Sequence, residues 1–238
     1  MIALLRYQAA ILLRSHRWIF PLIGYGLLIA VGAAGSTSLA ETLDWSGAML
    51  VPVVAFLTRA MLTAEPDAAR ACVAAAAGPM RAQFATLLVP LGGGALLAIA
   101  ATVFDVLTAE AAATAPASGM TDKAADAARH PGIIVAGLLI ALVCLLVGSA
   151  VGALCNPPLL RHAGAAMLTT LAAIVLALAA GVSPANAAIG HAEQASSAVA
   201  ANWPGAGSLI GAVCLLAVAW TVSLLAAARR DTWSPSAD

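Results

Sequence analysis

Lysine is almost missing from this sequence: Lys123 is the only one, and Asp, Glu, Lys and Arg together supply 9% of the chain. Soluble domains carry about 25% charged residues, so this scarcity removes most of the surface that a water-soluble fold presents. With 62% hydrophobic residues in 238 positions, a soluble domain would have too little interior to hide its apolar majority. The sequence is that of an integral membrane protein. The lysine shortage also excludes a P-loop, which needs GxxxxGK followed by Ser or Thr to cradle phosphate, because Lys123 sits in GMTDKAAD. Net charge is zero, which leaves no field to attract nucleic acid.

Other chemistry is missing too. No HExxH, no GxSxG with a plausible His partner and no acidic pair on an apolar segment is found. His16, His130, His162 and His191 are scattered, so no metal site and no enzyme activity is expected. Cys72, Cys144, Cys155 and Cys214 form no CxxC pair and lie in or beside apolar runs. They are expected to act as small buried hydrophobes, without disulfides or metal. Ion-driven carriers usually keep ionisable groups deep in their spans. Only Asp105 comes near that description, and its place at the end of an apolar run predicts a wetted carboxylate at the interface.

What the chain does have is long apolar runs. Six stretches suit a membrane span of about 20 residues: 18–35, 46–62, 84–106, 132–154, 163–182 and 205–227. Placing the N-terminus inside puts nine basic residues on the cytoplasmic side: Arg6, Arg14, Arg17, Arg59, Arg70, Arg81, Arg161, Arg229 and Arg230. Only Lys123 and Arg129 then lie outside, which satisfies the positive-inside rule. Both termini are expected in the cytoplasm, with 231–238 as a tail. No cleavable signal peptide is expected, since the first apolar run continues as a span without a small-residue cleavage site.

Residues 1–17, MIALLRYQAAILLRSHR, read as an amphipathic helix on the membrane surface. At 100° per residue, Arg6, Arg14 and Arg17 fall within about 80° of one another, with Ile2, Leu5, Ala9 and Leu12 outside that sector. Residues 18–230 form the six-span domain, with a charged coupling segment at 63–83. In that segment Pro66 suits the first turn of a helix, and Glu65 and Asp67 place negative charge at its positive end. DAARACVAAAA is rich in the best helix former, and Gly78-Pro79 stops it. Arg59 and Arg81 mark the membrane exits.

Among the remaining connections, Pro157 and Pro158 make a tight inner turn with Arg161, and 107–131 is a low-complexity outer loop. Ser183-Pro184 starts one or two short helices dipping into the outer leaflet, with Trp203 at interface depth. GSAVG at 148–152 and GSLIG at 207–211 have small-xxx-small spacing, read here as packing within the chain. Gly92, Gly93 and Gly94 interrupt the third run and are a candidate bend.

This layout resembles the permease subunit of bacterial ABC-2-type exporters. The resemblance rests on LLRYQAAILLRSHRWIFPLI, on the six spans, on AEPDAARACVAAAAGPMRAQFATLL and on SPANAAI at 183–189. It implies a plasma-membrane exporter in which two permeases, identical or homologous, pair with separate ATPase subunits that bind the ATP. It also implies that Glu65, Pro66, Asp67, Arg70, Pro79 and Arg81 belong to the segment touching the ATPase. The sequence departs from the family in carrying Ala69 or Ala71 where many members keep Gly-Thr. The alternative is a non-transport membrane scaffold or immunity-type protein, for which the 63–81 helix would be dispensable.

Overall fold

The computed structural model describes residues 1–35, 38–114, 131–155, 163–180, 183–195 and 205–231. The Pro157-Pro158 turn with Arg161, the outer-loop residues Lys123 and Arg129, Trp203 and residues 232–238 lie outside this set. The described residues form helices and no strand: α1 (Ile2–Ser15), α2 (Ile19–Gly35), α3 (Leu39–Leu62), α4 (Asp67–Ala77), α5 (Pro79–Thr114), α6 (Pro131–Leu154), α7 (Ala163–Ala179), α8 (Pro184–Ala195) and α9 (Ala206–Asp231).

Among the described residues, five helical stretches are long and apolar enough to cross a bilayer, or six if α1 and α2, which meet at 75°, are counted together. At 17 residues, α2 alone reaches roughly 25 Å, short of a hydrocarbon core of about 30 Å. The bend sits at His16, a non-glycine residue in the left-handed region at φ 54°. Phe20, Leu96, Leu168 and Leu176 point outward from the bundle, as lipid-facing side chains do.

Several helix limits differ from the hydropathy reading. α3 starts at Leu39, not at 46, because the Ser38 hydroxyl accepts from the Glu41 N–H at 3.3 Å and caps it. α5 starts at Pro79 and runs unbroken through Pro90 and the three glycines, so no interruption occurs there. Gly94 instead lies so close to α3 and α6 that an added Cβ would meet Leu145 at 2.5 Å and Val54 at 2.7 Å.

The core lies between α3 and α6, each 61% buried against 22% for α9. Their approach depends on glycine: a Cβ at Gly148 would sit 2.7 Å from the Val51 carbonyl oxygen, and one at Gly152 2.9 Å from that of Ala55. GSAVG is thus an intrachain seam. GSLIG is not a comparable one, since Gly207 has nothing within 4 Å. Two of the cysteines, Cys72 and Cys214, are exposed, contrary to the buried role expected of all four; Cys144 is buried and Cys155 half-buried.

The two ends of the bundle are distinct. At one, Leu39 and Leu43 of α3 pack with Val106 and Ala109 of α5 and Ile133 of α6. At the other, Leu62, Leu87, Ala153 and Trp220 bring together the end of α3, the start of α5, the end of α6 and α9. There Trp220 donates to the Ser149 hydroxyl at 3.3 Å and meets Phe84 edge-on at 5.4 Å. α8 is one helix lodged against the core, with Ala185 and Ala188 fully buried beside Val51 and Ile140. The Asn186 amide donates to the Leu178 carbonyl at 2.6 Å and ties α8 to the end of α7.

Candidate functional site

The charged segment lies at the end of the bundle where α3 stops and α5 begins. Pro66 is extended at φ −60°, ψ 147° and precedes α4 as its cap, one position earlier than the first-turn place expected of it. Gly78 closes α4 with φ 86°, a value that L side chains rarely adopt, and its N–H donates to the Ala74 carbonyl at 2.8 Å. Pro79 then opens α5 at the position where its missing N–H costs nothing. The one glycine lets two helices meet almost without a loop.

Glu65 points inward, toward α1. It is 8% exposed, and its two carboxylate oxygens are separately occupied: Tyr7 donates its phenol O–H to Oε1 at 3.2 Å, and Gln8 donates Nε2–H to Oε2 at 3.3 Å. Gln8 is the buried residue of α1, at 1% exposure. Hydrogen bonds to an ionised acceptor are the stronger kind, so this pair clamps α1 to the base of α4. Partial desolvation, then the nearby Glu65 charge, push the phenol of Tyr7, a residue 40% exposed, above its ordinary 10.0.

Two arginines complete the junction. Arg17 donates to the Thr63 carbonyl at 3.0 Å and to its hydroxyl at 3.4 Å. Arg70 reaches back from α4 to the Leu62 carbonyl at 2.6 Å and the Glu65 carbonyl at 3.3 Å. Both satisfy acceptors left over where α3 ends. Of the six residues assigned to ATPase contact by resemblance, Glu65 and Arg70 are therefore engaged inside the chain. Pro66 and Arg81 are exposed and Pro79 is half-buried.

The surface that α4 does present is made of small residues. Ala68, Ala71, Cys72, Ala75 and Ala76 are all exposed and follow i, i+3, i+4, i+7, i+8 spacing along one face. Met80, 48% exposed, and Arg81 continue it onto α5. Sequence reasoning singled out the charges of this segment and missed both the alanine face and the partners Tyr7 and Gln8. The signal for Gln8 was one amide among apolar neighbours, in LLRYQAAILL.

Asp105 corrects another expectation. It is not wetted: its exposure is 0%, and among the described residues neither carboxylate oxygen has a hydrogen-bond partner. Among the described residues no group of three or more His, Cys, Asp and Glu could hold a metal ion. Comparisons with protein families, with curated proteins and with solved structures find no match to this chain.

Proposed function

We propose that the chain is the membrane-spanning permease subunit of an ATP-driven exporter of the ABC-2 type, in the bacterial plasma membrane, with α1 and α4 on the cytoplasmic side. ATP is bound and hydrolysed on a separate ATPase subunit; two permeases enclose the path. The observation that carries this reading is α4 itself: a helix anchored at both ends, with an exposed face of small side chains. Such a face admits close approach of another protein, and its anchors give a push somewhere to go. Force on α4 passes through Arg70 to the end of α3 and through Gly78-Pro79 to α5. Those two helices share the glycine-lined core with α6, so moving them opens or closes the bundle as a two-state change. Arg-rich termini and the basic residues at this end favour the cytoplasmic placement.

The test is co-purification in mild detergent with ATPase subunits of the same cell. Wild type is expected to retain an ATPase, whereas Ala71→Glu with Ala75→Glu loses it while melting at the same temperature. If wild type retains none, the motor reading falls and the scaffold reading takes its place.

A further inference from the structure

Among the described residues, Asp105 is a buried carboxyl without a hydrogen-bond partner. It lies on α5 facing α2 and α3, at the end of the bundle away from α4. Two donors in this region are already spent. Tyr25 of α2 gives its phenol hydrogen to the Ser46 carbonyl at 3.1 Å, and the Ser46 hydroxyl gives its hydrogen to the Leu43 carbonyl at 3.1 Å. The Ser46 hydroxyl is close to the carboxylate, but no hydrogen bond of acceptable geometry joins them. The other titratable groups toward this end of the packed helices are Tyr25, Cys144 of α6, Glu41 and Asp44 near the start of α3, and Glu110 of α5; none is cationic. The basic residues on those helices, Arg59 and Arg81, lie near their far ends. Arg81 is 24 residues away along α5, roughly 36 Å at 1.5 Å per residue.

An isolated carboxylate in such a place is too costly to persist, and it is neutralised or paired. We propose that Asp105 is a binding site for one monovalent cation: either a proton, giving the neutral acid, or an alkali-metal ion held by its carboxylate. Both share the chemistry of one positive charge taken from solvent. For a metal ion, the oxygens of Tyr25 and Ser46, whose hydrogens point elsewhere, supply further ligands. A recess of about 260 Å³ between α2 and α5, lined by Leu22, Tyr25, Ala101 and Phe104 among others, lies beside it. Tyr25 belongs to both places, since its ring lines the recess and its hydroxyl donates to the Ser46 carbonyl. The packing of α2, α3 and α5 over Asp105 is therefore conditional on an ion. This site is independent of any ATPase.

The experiment uses the full chain in lipid nanodiscs at neutral pH. Infrared spectra are taken of wild type and Asp105→Asn, an isostere of the neutral acid, and melting temperatures are measured in sodium, potassium and choline chloride. A protonated-acid carbonyl band present in wild type and lost in Asp105→Asn identifies the proton. With no such band, a melting temperature raised by sodium or potassium over choline, an increment lost in Asp105→Asn, identifies the metal ion. Should Asp105→Asn fail to fold, heavy-carbon aspartate in wild type assigns the band, and the salt comparison needs no variant. Absence of both the band and the salt effect in wild type overturns the proposal.

Discussion

At the scale of single residues, the most constrained positions are those where a side chain has no room or no substitute partner. Gly148 is the first kind, because the nearest atom to an added Cβ is a backbone oxygen of α3, which cannot rotate away. Gly148→Leu is expected to lower stability by about 1–3 kcal/mol, as overpacking does, while Gly207→Leu, with open space around it, leaves the melting temperature unchanged. Thermal melts of both variants in the same lipid check this. Glu65 is the second kind. Glu65→Ala leaves the Gln8 amide buried without an acceptor, a loss of about 1–3 kcal/mol. It is expected to release α1, read as faster proteolysis after Arg6 and Arg14. The Tyr7 phenol adds a pH signature. Its value in the folded chain is raised above 10.0, so the folded state holds this proton more tightly than the unfolded one. Its contribution is complete below pH 10 and is lost as pH rises through the raised value. Melts from pH 8 to pH 11 should therefore fall more steeply for wild type than for Tyr7→Phe.

At the scale of elements, α4 is positioned by its neighbours more than by its own propensity, since isolated helices of its length, 11 residues, are marginal in water. Arg70→Ala removes the two bonds to the end of α3. Amide hydrogen exchange should accelerate across 63–78 while α3 and α6 stay protected; uniform acceleration would show instead that Arg70 stabilises the whole fold. The helical runs were legible in the sequence because lipid demands continuous apolar stretches of span length. The start of α3 was not, because Glu41 and Asp44 lower the hydropathy of a segment that is nonetheless capped and helical from Leu39. α4 was legible from Pro66 and Gly78-Pro79, whose backbone preferences are local. The direction of Glu65 was hidden, since a carboxylate reads as outward until Tyr7 and Gln8, 58 and 57 positions away, are brought to it. Asp105 was misread for the same reason: position along a helix gives depth, and only packing gives the side it faces.

At the scale of the whole molecule, the four cysteines form a natural set of reporters of which way the bundle faces. Thiolates add to the maleimide double bond, so access to water decides which thiol reacts. Cys144 is fully buried, and Cys214, though exposed from the bundle, lies within the apolar stretch of α9 that faces lipid. Cys155 is half-buried and donates to the Thr169 carbonyl at 3.7 Å. Cys72 alone is both exposed and carried on the short helix outside the spanning segments. A membrane-impermeant maleimide is therefore expected to modify Cys72 in inverted membrane vesicles and to leave it untouched in intact cells, with Cys72→Ser removing the signal. Labelling in intact cells would place α1 and α4 outside and remove the basis for an ATPase partner. Once the orientation is established, the same thiol reports on docking, because Cys72 lies on the alanine face between Ala71 and Ala75. A bound ATPase should slow its modification severalfold, and Ala71→Glu with Ala75→Glu should restore the unprotected rate if that face is where the two proteins meet.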